Sequence, residues 1–206
     1  MTAPATRDRT HTGHEAGVLR FPPAPAYNSA TASEGPSMRS AALCLLVSAV
    51  ATADEKKPKY VHTSVEHGFS VGLPGKPKTD RQNLTTVAGT LTVHTTRFDS
   101  GSDLVLSVTN TDYPKEFTGV KPDEVFKGML KEMQGADGKV AEEKDVTIGA
   151  DKHPGKQWRI EAGKNVIRVQ VYLVGRRVYQ VMANGSKEGA DGKAAAELFA
   201  TFELVK

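Results

Sequence analysis

Arg168-Val169-Gln170-Val171-Tyr172-Leu173-Val174 is followed, after Gly175-Arg176, by Arg177-Val178-Tyr179-Gln180-Val181-Met182-Ala183. The two runs are rich in β-branched and aromatic residues, which suit a pleated surface, and two residues separate them. Glycine first in such a connection suits a type II′ hairpin turn. If Val174 pairs with Arg177, counting backwards sets Leu173 opposite Val178, Val171 opposite Gln180 and Val169 opposite Met182. On the other face Tyr172 meets Tyr179, a cross-strand aromatic pair contributing about 0.5–1 kcal/mol. Both faces carry apolar groups, so this sheet is expected to be covered on both sides.

Working outward, Gly163-Lys164 is a second two-residue turn, joining Lys156–Ala162 to Asn165–Val174, and Val140–Ile148 precedes them. Thr90–Phe98 and Asp103–Thr111 read as strands joined by Asp99-Ser100-Gly101-Ser102, a turn composition. In the first of these Leu91 and Val93 share one face, while Thr92, His94 and Thr96 share the other. A more polar strand near Gln82–Val87 comes before them. Tyr60–Thr63 and Phe69–Leu73 form a short hairpin around Glu66-His67-Gly68, and Pro74-Gly75 stops it. A helix starts at Pro122, with Asp123 and Glu124 at its positive end, and stops at Gly135. Val125, Phe126, Met129, Leu130 and Met133 give it an apolar stripe of helical period, read as core packing. A second helix runs from Asp191, its N-cap, to about Thr201, burying Ala195, Leu198, Phe199 and Phe202. Phe202–Val205 can add a last short strand. The fold class is α+β, a mainly antiparallel sheet of about 6–8 strands with two helices.

Three stretches carry a resemblance. Phe69-Ser70-Val71-Gly72-Leu73-Pro74-Gly75-Lys76-Pro77, the hairpin from Arg168 to Val181, and Ala196-Glu197-Leu198-Phe199-Ala200-Thr201-Phe202 are similar to PsbP-like domains. That family includes the extrinsic photosystem II subunit and many small exported bacterial proteins. The resemblance spans roughly Phe69 to Val205. It implies an α-β-α sandwich and a role in binding or assembly rather than catalysis, and it carries over no functional residue.

The chain offers little recognisable chemistry. His62 and His67, with Glu66 between them, are the best metal candidate, yet their spacing puts the imidazoles on opposite faces of an extended strand unless a tight turn intervenes. They are read as a solvated turn, with no metal or cofactor assigned. His94 lies on the polar face of its strand, and His153 falls in an Asp151-Lys152-His153-Pro154-Gly155 turn. No recognisable motif puts either beside a nucleophile, and no catalytic residue is assigned. No glycine-rich phosphate cradle is present. Arg176-Arg177 at the hairpin tip could grip an anion but reads as a solvated turn. Trp158 shares a strand face with Ile160 and Ala162 and is read as core. Residues 54–206 carry a net charge of about +2 with the bases spread out, which is no footprint for nucleic acid.

The compartment is read from Met38-Arg39-Ser40, the apolar run Ala41–Val50, and Ala51-Thr52-Ala53 before Asp54. One positive charge, an apolar centre and small residues at Ala51 and Ala53 make a secretory signal with cleavage between Ala53 and Asp54. The run is shorter than the roughly 20 residues a membrane span needs. Cys44 lies mid-run behind Leu43, which does not suit lipid attachment. Removing the signal removes the chain's one cysteine, leaving an exported domain without a disulfide. The expected organisation is a disordered leader over 1–37, without apolar periodicity and either upstream of a working start at Met38 or a true leader, then the signal over 38–53. A tail and first strand over 54–66 precede a single domain over 67–206.

The functional expectation is an exported, non-enzymatic accessory or protein-binding domain of the cell envelope, monomeric and without a membrane span. Its partner is an unknown envelope protein or small ligand. The alternatives are a carrier of a small apolar or amphiphilic ligand and a metal-dependent hydrolase. Intact mass of the chain from fractionated native cells checks the compartment. A mass beginning at Asp54 in the envelope or secreted fraction is expected, and a cytoplasmic chain retaining residues 38–53 would contradict it.

Overall fold

The hairpin register read from the sequence is the one adopted: Tyr172 pairs with Tyr179, Leu173 with Val178, Val171 with Gln180 and Val169 with Met182. Gly175 has φ +62° and Gly163 φ +61°, the left-handed first position that a type II′ turn requires. The computed structural model describes residues 59–86, 89–101, 103–115 and 119–206. The leader, the signal and the cleavage residues Ala51, Ala53 and Asp54 lie outside the described residues.

In chain order the described elements are β1 (Tyr60–Ser64), β2 (Phe69–Leu73), β3 (Lys78–Thr86), β4 (Gly89–Asp99), β5 (Leu104–Asp112), α1 (Pro122–Gln134), β6 (Lys139–Ile148), β7 (His153–Ala162), β8 (Asn165–Val174), β9 (Arg177–Ser186), the single turn α2 (Lys187–Ala190), α3 (Lys193–Thr201) and β10 (Glu203–Leu204). Seven strands form one antiparallel sheet in the order β3-β4-β5-β9-β8-β7-β6, and β1-β2-β10 form a second. No helix among the described residues is long and apolar enough to cross a membrane.

Both faces of the large sheet are covered, as its two-sided apolar pattern demands. On one face α1 lays Val125, Phe126, Met129 and Met133 onto Trp158, Ile160, Val169, Val171 and Met182. On the other, β2 contributes Phe69, Val71 and Leu73, and α3 contributes Ala195 and Leu198. With Phe202 these cover Leu106, Val108, Tyr172, Tyr179, Val181 and Ala183. The layers are therefore helix, seven-stranded sheet, then a small sheet with a helix. The α+β antiparallel class is thus the one present. The outer strand β6 exposes Glu142, Glu143, Lys144 and Asp145, charges that discourage pairing of a free sheet edge with another chain.

Two local expectations are corrected. Asp191 does not cap α3; Gly192 does. The Asp191 carboxylate is held instead by the Arg159 guanidinium at 3.0 Å, with Arg168 at 4.0 Å. Two cations on adjacent strands outcompete the helix N–H groups for one carboxylate. His153 is not in a turn but opens β7 opposite Ile148. Gly149 and Lys152 take left-handed φ values of 73° and 51°, closing the turn at Lys152, just before His153. Pro154 is tolerated because it lies beyond the end of the β7–β8 ladder, where its missing N–H costs no bond on that side.

Phe202 is 7% exposed and Val61 is 59% exposed. Phe202→Ala is expected to destabilise the protein by about 3–5 kcal/mol, and Val61→Ala to stay within about 0.5 kcal/mol, both read from urea unfolding midpoints.

Candidate functional site

The β1–β2 hairpin is closed by Val65-Glu66-His67-Gly68, with Ser64 paired to Phe69. Gly68 sits at φ +68°, and a side chain there would place its Cβ 3.2 Å from the Tyr179 hydroxyl oxygen. The turn is fastened from three directions. The Tyr179 hydroxyl donates to the His67 carbonyl at 2.7 Å, the Arg177 guanidinium donates to the Glu66 carbonyl at 3.4 Å, and the Val205 N–H donates to the Gly68 carbonyl at 3.0 Å. These bonds tip His67 down onto β4, where its ring lies 4.1 Å, centroid to centroid, from that of His94.

A cleft of about 410 Å³ opens here between the hairpin and the outer strands β3 and β4. Its walls carry the imidazoles of His62, His67 and His94, the hydroxyls of Ser64, Thr79 and Thr96, and the charged residues Asp80 and Arg81. In register, Arg81 faces His94 and Thr79 faces Thr96, so these four side chains share one face. On the next strand, Asn110 pairs with His94. Asn110 is 2% exposed, and its Nδ2 has no hydrogen-bond partner.

Extended geometry separates His62 from His67, and the tight turn reunites them, with His94 as a third member. Glu66 does not join the cleft walls. Among the described residues, no group of three His, Cys, Asp or Glu is placed to hold a metal ion. No hydrogen bond there links a hydroxyl of the cleft to an imidazole. His153 stands apart, 3.9 Å from Asp151. Arg176 and Arg177 are engaged rather than free. Arg176 donates to the Tyr113 carbonyl at 2.6 Å, and Arg177 grips both Asp112 carboxylate oxygens at 2.6 and 2.7 Å. That double hydrogen bond holds the Asp112 pKa below its usual value. Asp80 and Arg81 were missed in the sequence because β3 reads as a weak polar strand; only pairing with β4 gives its residues a face.

Burial lowers the His62 pKa. His67 is lowered by burial first and by the His94 charge second, with Arg177 adding to this and Glu66 and Asp112 opposing it.

No protein-family model matches the sequence, and no characterised protein matches it. Among solved structures, the chain is similar to the cyanobacterial PsbP of Synechocystis. The TM-score is 0.49 at 11% identity, over 70% of this chain and 91% of that one. It is also similar to a Pseudomonas aeruginosa protein of unknown function, with TM-score 0.32 at 12% identity, over 64% of this chain and 85% of that one.

Because His62 and His67 titrate below the ordinary histidine value of 6.5 in the folded protein, the unfolded chain binds more protons just below that pH. Stability is therefore full above about pH 6.5 and falls as pH drops towards the lowered folded values. Urea midpoints at pH 8, 6.5 and 5 are expected to decline, and a His62→Gln/His67→Gln double variant to show a flatter decline.

Proposed function

We propose that this chain is an exported, non-enzymatic binding domain acting in the cell envelope or outside it, with the three-histidine cleft as its recognition site. Export is supported by the signal-like segment ending at Ala53. Recognition is supported by one observation above the rest: polar groups of three kinds converge on a cleft whose upper wall is fastened by Tyr179, Arg177 and Val205. At about 410 Å³ the cleft falls within the size range of small-molecule sites. A donor set fixed before binding loses little freedom when a ligand arrives.

The other two readings have less behind them. Nucleophilic hydrolysis needs a hydroxyl activated by a neighbouring base, and the cleft's hydroxyls and imidazoles are not hydrogen-bonded to each other. A carrier of apolar ligands needs room between sheet and helix, where Trp158, Phe126 and Met129 pack into one buried cluster.

The test is native mass spectrometry of the protein recovered from its own cells, beside a His67→Ala/His94→Ala variant of matching circular dichroism. A bound ligand or partner in the wild type that the variant loses is expected. Equal retention by the variant would contradict the reading. So would turnover of a panel of esters and phosphoesters that the variant lacks.

A further inference from the structure

We propose that the cleft binds an oxyanion, the sulfate, phosphate or carboxylate group of a small molecule, between Arg81 and the paired His67 and His94 rings, and that it binds more tightly in mild acid than in mild base. This rests on the reading of the cleft as the binding site and adds the chemistry of its ligand.

The floor is a two-by-two patch of donors. Arg81 stands opposite His94 and Thr79 opposite Thr96, and all four line the cleft. Among the described residues the Arg81 side chain has no ion pair or hydrogen bond, whereas Arg97, Arg159 and Arg177 each hold a carboxylate. A planar guanidinium left unpaired beside hydroxyls and imidazoles is suited to an oxyanion. Asp80, the one acid of the walls, faces its own strand. It accepts from the Arg81 N–H at 2.8 Å and from the Gln82 side-chain amide at 3.1 Å. Asn110, whose amide nitrogen is buried and unpartnered, lies beside His94 on β5, behind the cleft walls.

The proton dependence follows from the two stacked rings. With centroids 4.1 Å apart, two imidazolium ions repel each other, so a second charge there needs an anion to offset it. The charged groups facing His67 are His94 from β4, Glu66 in its own turn, and Arg177 and Asp112 from β9 and β5. The last two bind each other. Those in the walls beside His94 are Arg81 and Asp80 from β3. Near neutral pH, Arg81 and Asp80 roughly cancel, so protonation of imidazoles in the walls would leave the cleft cationic. Anion binding and proton uptake then reinforce one another.

Calorimetric titration of the full chain with sodium sulfate tests this at pH 5.5 and pH 8.0, at constant ionic strength set with sodium chloride. Two buffers of different ionisation heat report the protons taken up. Saturable binding at pH 5.5 is expected, at least about tenfold weaker at pH 8.0, with net proton uptake. Arg81→Gln and His94→Gln should each weaken it several-fold at pH 5.5. No saturable heat at pH 5.5, equal affinity at both pH values, or indifference to both substitutions would overturn the proposal. Vesicles containing phosphatidylglycerol provide a second arm. Sedimentation with them that depends on His67 and His94, without a sulfate response, would overturn the small-molecule assignment. The two readings fail separately. A native ligand lost on His67→Ala/His94→Ala without sulfate binding leaves the binding site standing and removes the anion. Sulfate binding beside an unaffected native ligand does the reverse.

Discussion

Everything placed above the large sheet depends on the aromatic contact made by Phe202 between the two sheets. Its ring lies 6.0 Å from Tyr172, 5.9 Å from Tyr179 and 5.9 Å from Phe69. Tyr172 and Tyr179 come from the central hairpin, and Phe69 from the small sheet. A two-stranded hairpin is at best marginally stable alone in water, and β10 adds only two paired residues to it. Phe202, together with Phe69, Val71 and Leu73 buried against the large sheet, holds it in place. The end of α3 reinforces the join, since the Thr201 hydroxyl accepts from the Gly72 N–H at 2.8 Å and donates to the Glu197 carbonyl at 2.7 Å.

The cleft follows from where this docking ends. The apolar side chains of β2 sit over β5 and β9, where the large sheet offers Leu106, Val108 and Val181. The neighbouring strand β1 overhangs β3 and β4, whose facing residues are Thr79, Arg81, His94 and Thr96. Apolar residues over the centre and polar residues over the margin leave a wet space between one wall of imidazoles and another of donors. Tyr179 links the two regions, with its ring in the aromatic cluster and its hydroxyl on the His67 carbonyl.

Much of the fold was legible because its information is local. Two-residue glycine turns set the β8–β9 register by counting. Pro122 and Gly135 bracket α1, whose bounds are Pro122–Gln134 with Gly135 as its cap. The two-faced apolar pattern of β8 and β9 required cover on both sides. The site was only half legible. His62 and His67 stand out as a pair and His94 apart from them, but their meeting depends on bonds from Tyr179, Arg177 and Val205, each more than 100 residues away in the chain. Spacing between neighbours carries no trace of those. Asp191 was misplaced for a similar reason, since a helix cap is a local inference and its true partners are cations on β7 and β8. The role of Arg81 was invisible because the polar composition of β3 hides which of its residues face inward.

The account's central claim is that the docked small sheet, fixed through Phe202, is what sets His67 over His94. Nuclear Overhauser contacts between the ring protons of these two histidines at pH 8 test it directly, in the wild type and in a Phe202→Leu variant that remains folded. Strong contacts in the wild type that weaken or vanish in the variant are predicted, because the hairpin loses its anchor while the large sheet persists. Contacts of equal strength in both proteins, or none in the wild type, would contradict it.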